Sequence, residues 1–316
     1  MRRREFLAGG AAAMGGLILP GGLAAQSDNQ LDATEEAPPE STQPDQSQTE
    51  TSSGPGMRFN EGLLPDNRLL FYYGFPQNPL MGILGEYEPE QCLELLQEQA
   101  VEYEAADNSR PWKLGFELIA SVAQGEPQPD NSYVADTDGD WLDLYTEFTA
   151  ANDMVLLLDV QMGRKEPKED YAGLERWLQY DHVHLGIDPE FKMWGDEIPG
   201  QDLGHVTAAQ VTEAQHWLVD IANKYGTSRK TLVVHQFHVY MIENKEQIQP
   251  VEGVDLVIDE DGWGPPDMKR DTYDVVITQQ PIEYHGIKLF YQLDDPLMTA
   301  AEVMALQPTP DVVIYQ

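Results

Sequence analysis

The hydrophobic residues of the chain gather in eight short runs, separated by longer polar or mixed segments. The runs are Leu69–Gly74, Leu114–Val122, Met154–Val160, Val183–Asp188, Thr231–Gln236, Val254–Asp259, Ile287–Leu293 and Val312–Tyr315. Short, nearly continuous apolar runs rich in Val, Ile and Leu are typical of strands that are buried on both faces. The pattern therefore predicts eight buried strands.

Segments between most of these runs repeat their apolar positions with the period of a helix. They are Pro89–Ala105, Trp141–Ala151, Tyr171–Tyr180 and Ala208–Tyr225. Thr207 and Gly226 are placed to cap the longest of them, because Thr is favoured before a helix and Gly after one. Thr299 with Glu302 three residues later predicts a capping box at a further short helix.

Eight alternations of strand and helix in about 250 residues predict a (β/α)8 TIM-type barrel. The chain stops at the eighth strand, so we expect the last helix to be missing or replaced by residues 57–68. A doubly wound open sheet is the alternative. The barrel is favoured because no Gly-rich phosphate-binding loop follows the first strand.

The first 56 residues differ in composition from the rest. Arg2-Arg3-Arg4-Glu5-Phe6-Leu7 and the uncharged stretch that follows it predict a twin-arginine signal peptide over residues 1–25. Residues 26–56 are rich in Ser, Thr, Gln, Pro and acids, which predicts a disordered linker. The barrel domain would then span residues 57–316. We expect an extracellular or cell-envelope protein with no stable membrane insertion once the signal is removed.

The protein is strongly acidic, with a net charge of −36. Most of the excess lies after residue 56, where 47 acidic residues face 16 basic ones. This argues against nucleic acid as a partner, because binding it requires a basic surface. It also suggests a halophilic protein, since salt screens repulsion between acidic groups. Cys92 is the single cysteine, so no disulfide within the chain is possible.

Acidic and polar residues follow several of the predicted strands. In a barrel the reactive groups lie at the carboxyl ends of the strands, and charges there need a solvated mouth. Alternation along the fourth strand directs His184 and Asp188 inward, because Val183, Leu185 and Ile187 share the opposite face. These strand ends provide Asp159 and Gln161, Asp188 and Glu190, His235, Gln236 and His238, Asp259, and Asp294.

Asp188-Pro189-Glu190 resembles the Asp-x-Glu found at the end of strand four in muramidase-like and chitinase-like barrel hydrolases. The resemblance implies that Glu190 is the general acid and that Asp188 tunes its pKa. The chain departs from the muramidase type at strand one, where it reads Tyr72-Tyr73-Gly74-Phe75-Pro76 without an acid. It departs from the chitinase type at His184 and Gly186, where that type has further acids.

We therefore predict a secreted hydrolase that cleaves glycosidic bonds of an extracellular or cell-wall polysaccharide by carboxylate acid/base catalysis. The catalytic candidates are Glu190 and Asp188, with Asp159 and Asp259 in support. No cofactor or metal is expected. Candidates for contact with substrate are Gln161, His184, His235, Gln236, His238 and Asp294, and the aromatic residues Tyr73, Trp194, Trp263 and Tyr291, whose rings suit stacking on sugars.

Two alternatives remain open. One is a non-catalytic barrel that binds carbohydrate or cell wall. The other is a metal-dependent amide or ester hydrolase that uses His235 and neighbouring acids. Lys288, in the seventh run, is expected to pair with an acid rather than to form a Schiff base.

Overall fold

The computed structural model describes residues 56–316, so the predicted signal peptide and almost all of the predicted linker lie outside the described residues. Eight strands form one closed, all-parallel barrel in which β1 pairs with both β2 and β8. The predicted (β/α)8 TIM-type barrel is confirmed. The strands are β1 (Arg68–Gly74), β2 (Trp112–Ala123), β3 (Val155–Val160), β4 (Val183–Ile187), β5 (Lys230–His235), β6 (Val254–Glu260), β7 (Tyr284–Leu289) and β8 (Val312–Tyr315).

Helices cover most of the barrel's outer face. They are α1 (Pro89–Ala106), α2 (Gly139–Ala151), α3 (Pro167–Tyr171), α4 (Glu175–Leu178), α5 (Ala208–Tyr225), α6 (Pro266–Tyr273) and α7 (Ala300–Met304). The segment predicted as one helix, Tyr171–Tyr180, is broken by a 3-10 turn between α3 and α4. Two 3-10 turns, Val239–Met241 and Lys245–Gln247, stand between β5 and β6 where a helix would be expected.

The capping signals in the sequence correspond to real helix ends. Thr207 and Gln210 form a capping box at the start of α5, and Gly226 ends that helix in the left-handed conformation with φ of 69°. Thr299 and Glu302 form the predicted capping box of α7. In both capping boxes a side-chain oxygen accepts a backbone N–H that the helix itself leaves without a partner.

Alternation along the strands divides the hydrophobic residues into two layers. Val183, Leu185 and Ile187 of β4 pack outward with the helices, and so do Leu156 and Leu158 of β3. A smaller interior cluster fills the barrel, made of residues such as Leu69, Phe71, Leu157, Val233, Val257 and Ile314. The predicted outward direction of the β4 residues is confirmed. The residues of β3 alternate in the same way, and Asp159, His184 and Asp188 accordingly lie on the inward side.

No helix follows β8 in the described part of the chain, and residues 57–67 do not replace it. These residues lie instead at the amino-terminal end of the barrel, where Leu64 joins the interior cluster and its N–H donates to Asp255. The place of the eighth helix is filled by α1 packing against α7 and by a group of tyrosines. In that group Tyr315 of β8 shares a 2.8 Å hydrogen bond with Tyr103 of α1 and stacks on Tyr291.

Candidate active site

A cluster of charged side chains lies inside the barrel at the carboxyl ends of the strands. It contains six carboxyl groups and two basic groups, contributed by strands or by the residues directly after them. The carboxyl groups are Glu117, Asp159, Asp188, Glu190, Asp259 and Asp261, and the basic groups are His235 and Lys288. All except Glu190 are buried, and Glu190 is partly exposed.

His235 is the centre of the cluster. Its Nδ1 lies 3.0 Å from Asp259 Oδ2 and its Nε2 lies 2.9 Å from Glu117 Oε1. Asp159 Oδ1 is 3.8 Å from the same Nε2, and Asp261 Oδ2 is 3.7 Å from Nδ1. Burial by itself lowers the pKa of the imidazole, but the charge of Glu117 and the hydrogen bond with Asp259 outweigh it and raise that pKa well above its ordinary value.

Lys288 supplies the second positive charge. Its Nζ lies 3.9 Å from Asp261 Oδ2 and 3.5 Å from the centre of the Tyr73 ring, an arrangement that combines ion pairing with a cation–π contact. The expected pairing of Lys288 with an acid is confirmed. The predicted seventh run was placed too late, because β7 ends at Leu289, and Lys288 therefore lies near the carboxyl end of its strand.

Tyr73 and Gln161 extend the cluster toward β1 and β3. The Tyr73 hydroxyl donates to Asp159 Oδ2 at 3.2 Å and accepts from Gln161 Nε2 at 3.3 Å. Gln161 Oε1 accepts from the N–H of Ala123 at 3.1 Å, which fixes the direction of its amide. These bonds hold one oxygen of Asp159 in place.

Asp188 and Glu190 lie on the turn that follows β4. Asp188 Oδ1 accepts from the N–H of Glu190 at 3.1 Å, so Asp188 caps the 3-10 turn Pro189–Phe191. Burial, together with the charges of Asp261 and Asp159, raises the pKa of Asp188 well above its ordinary value. Burial and the charge of Asp261 also raise the pKa of Glu190 to about 7, against the opposing effect of Lys288.

Asp159 and Asp259 have raised pKa values for the same reason. Burial raises the pKa of each to about 6, although the charge of His235 opposes the rise in Asp159 and its hydrogen bond opposes the rise in Asp259. Six carboxyls around two basic groups leave an excess of negative charge. In an interior with little water, that excess is relieved by bound protons or by a bound cation.

Seven of the fourteen residues predicted for the site meet in this cluster, and His184 lies deeper on the same inner face. The seven are Tyr73, Asp159, Gln161, Asp188, Glu190, His235 and Asp259. His184 is one layer nearer the amino-terminal end, where its Nδ1 accepts from the N–H of Thr231 at 2.9 Å. It is therefore placed to support the barrel rather than to line the mouth.

Gln236, His238 and Asp294 have structural partners outside the cluster. Gln236 follows His235 and faces outward, where its Oε1 accepts from Lys245 Nζ at 2.7 Å. His238 is in the loop beyond and its Nδ1 accepts from the N–H of Tyr240. Asp294 lies five residues after β7 ends, where it accepts from the N–H groups of Gly264 and Phe290. Asp294 therefore connects the loop after β6 with the loop after β7, and it does not end a strand.

The remaining aromatic candidates also lie away from the cluster. Trp194 stacks on His205 in the loop after β4 and lies 4.0 Å from Lys192 Nζ. Tyr291 belongs to the tyrosine group on the outer face of the barrel, and its hydroxyl donates to Gln99 of α1. Trp263 is exposed in the loop after β6. Phe75, which follows β1, is partly buried and packs against the barrel interior, as does Tyr284 at the start of β7.

Glu117 and Asp261 are members of the cluster that sequence reasoning did not select. Glu117 is the fourth residue of the second hydrophobic run, between Phe116 and Leu118, which pack outward. The signal that could have identified Glu117 is an acid at an inward-facing position of an otherwise apolar strand. Asp261 was one of three successive acids, and only the direction of the chain beyond β6 distinguishes it from its neighbour Glu260, which pairs outside the barrel with Lys269 at 2.6 Å.

One group of donor atoms has the spacing of a metal site. Glu117, Asp159 and His235 each place one such atom within 4.8 Å of the others.

Among residues 56–316, no helix is long and apolar enough to cross a membrane. In comparisons with known proteins, no family model matches the sequence and no curated protein matches it significantly.

Proposed function

We propose that the protein is a glycoside hydrolase that acts at the carboxyl-terminal mouth of its barrel, with Glu190 as the proton donor. The observation that carries this proposal is the position of Glu190. It is the partly exposed member of a buried acid cluster, at the end of β4, and its pKa of about 7 keeps much of it protonated near neutral pH. A carboxyl group of this kind can protonate a leaving group.

Glycosidic cleavage also requires a carboxylate that stays ionised near the sugar. We assign this role to Asp261 from its position, because it follows β6 at the mouth and its Oδ2 lies 3.9 Å from Lys288 Nζ. Asp188 has a strongly raised pKa and caps the turn that carries Glu190, which suits the modulating role better than that of a nucleophile. Asp159 and Asp259 support the arrangement through Tyr73 and His235.

In the reaction, Glu190 gives its proton to the glycosidic oxygen as the bond from that oxygen to the anomeric carbon breaks. Asp261 stabilises the positive charge that develops on the sugar. A water molecule then supplies hydroxide to the anomeric carbon, and its remaining proton returns to the Glu190 carboxylate. Atoms and protons balance, and the enzyme is restored to its starting state.

The test is the release of reducing sugar from chitin oligosaccharides and from purified peptidoglycan, measured with wild-type protein, Glu190→Gln and Glu243→Gln. Glu243 is an exposed acid outside the cluster, so its variant is the matched control. We expect at least a 100-fold lower rate for Glu190→Gln, with binding of the oligosaccharide retained. Equal rates in all three proteins would contradict the role of Glu190. Binding without any turnover by the wild type would favour a non-catalytic carbohydrate-binding barrel.

A further inference from the structure

Three donor atoms meet near the barrel axis, one layer deeper than Asp188. Glu117 Oε1 and Asp159 Oδ1 lie 2.9 Å and 3.8 Å from His235 Nε2. Ligands bound to one zinc ion at about 2.0–2.2 Å in tetrahedral geometry are separated by roughly 3.4 Å. These two separations lie on either side of that value, and all three atoms lie within 4.8 Å of one another, so small side-chain rotations would bring them into contact with one ion.

One carboxylate oxygen of Glu117 and one of Asp159 have no hydrogen-bond donor. Glu117 Oε2 and Asp159 Oδ1 are buried, and no side chain or backbone group among residues 56–316 donates to either. A buried carboxylate oxygen without a partner is strongly unfavourable, and each such atom needs an explanation. A cation in contact with these carboxylates provides the missing interaction.

Gly186 of β4 leaves room beside the same atoms. A Cβ at this position would lie 2.9 Å from Asp159 Oδ1 and 3.1 Å from Glu117 Oε1. Gly186 therefore has no side chain at a position where the Cβ of any other residue would crowd Asp159 Oδ1 and Glu117 Oε1. This space faces the two carboxylates from the strand that neighbours β3.

His235 is oriented as a metal ligand. Its Nδ1 lies 3.0 Å from Asp259 Oδ2. When an ion displaces the proton of Nε2, a hydrogen bond from Nδ1 to that carboxylate leaves the Nε2 lone pair directed toward Glu117 and Asp159. Histidine ligands commonly donate their second ring N–H to a carboxylate, which fixes the tautomer and the ring direction.

We propose that Glu117, Asp159 and His235 bind one divalent transition-metal ion, with Asp259 as the positioning residue for His235. One imidazole and two carboxylates suit Zn²⁺ or Mn²⁺ better than Ca²⁺, which prefers six to eight oxygen ligands. The ion adds positive charge where six carboxyls surround two basic groups. This differs from the expectation of a metal-free protein, and it concerns ion binding, independently of whether a sugar is cleaved.

The experiment measures ion binding by calorimetry on the full chain after removal of metals with a chelator. ZnCl2 and MnCl2 are titrated separately, with a large excess of CaCl2 and KCl present to saturate weak sites on the acidic surface. We expect one ion per chain, at least 10-fold weaker binding in Glu117→Gln and in Asp159→Asn, and wild-type binding in Asp170→Asn. Asp170 is a matched control because it is a buried carboxylate that pairs with Ser121 and Lys165 elsewhere.

A second measurement needs no variant at the site. Pulsed electron paramagnetic resonance on the wild-type protein with Mn²⁺ should show coupling to a nitrogen nucleus, which is the signature of His235 as ligand. Absence of saturable binding, unchanged binding in both site variants, or Mn²⁺ without nitrogen coupling would each overturn the proposal. Glu190→Gln should bind the ion as the wild type does, so failure of this proposal and failure of the hydrolase proposal give different results.

Discussion

Glu190→Gln should make the protein more stable in alkaline solution while it removes the proposed proton donor. The ordinary pKa of this carboxyl is 4.5, and the fold raises it to about 7, chiefly by burial. A group whose pKa is higher in the folded state binds protons more tightly there. Stability therefore falls as the pH rises from 4.5 to 7, and the loss is complete above pH 7. Glutamine has no charge to bury, so the variant escapes the loss.

The size of the effect follows from the two pKa values. Their separation corresponds to about 3.4 kcal/mol, at about 1.36 kcal/mol for each pKa unit. Because solvent reaches part of the Glu190 side chain, screening reduces this value, and we expect about 1–2.5 kcal/mol at pH 8.5. At pH 4 both side chains are neutral in the fold, and the two proteins should agree within about 0.5 kcal/mol.

Urea unfolding at pH 4, 6 and 8.5, at one fixed salt concentration, measures the free energy of unfolding of each protein. Glu243→Gln serves as control, because the side chain of Glu243 is exposed and its replacement should have no pH-dependent effect. A difference between wild type and Glu190→Gln that stays constant across this range would refute the reasoning. So would a variant that is less stable than the wild type at pH 8.5.

Three further results are expected elsewhere in the molecule. Lys269→Met should lower the free energy of unfolding by about 3–5 kcal/mol, because it leaves Glu260 buried without its 2.6 Å partner; adding Glu260→Gln should recover part of the loss in urea unfolding. Thr207→Ala should lower it by about 1 kcal/mol, because the capping box of α5 loses the oxygen that accepts from Gln210 N–H; Thr212→Ala, within the helix, is the control. The melting temperature should rise between low and molar KCl, since the net charge is −36; an unchanged midpoint would contradict the halophilic interpretation.

Hydrophobic patterning predicted the fold well because the strands contribute apolar residues both to the outer layer beneath the helices and to the barrel interior. Each of the eight apolar runs became a barrel strand, and the alternation of Val183, Leu185 and Ile187 gave the correct direction for Asp188. Strand ends were less well predicted. Apolar residues continue past Leu289 into the loop that contains Asp294, but Tyr291 and Leu293 are exposed there, and residue type alone does not separate them from residues of a buried strand.

The site was predicted where it depended on strand direction, and was missed where it depended on three-dimensional packing. The inward direction of Asp188 followed from the alternation along its strand. The pairing of Lys288 with Asp261 across the mouth, and the convergence of Glu117 on His235, depend on which strands are neighbours around the barrel axis. Aromatic residues such as Tyr291 were misplaced because composition does not distinguish a ring on the outer face from one at the mouth.

The closure of the barrel by residues 57–67 determines how the protein can be attached to a support. Leu64 lies at the end opposite the acid cluster, whereas Gln316 follows β8 and its carbonyl accepts from Tyr291 N–H beside the mouth. A carrier or affinity tag joined ahead of Gly56 therefore leaves the entrance clear. One joined after Gln316 would crowd it, so an immobilised form should be coupled through its amino end.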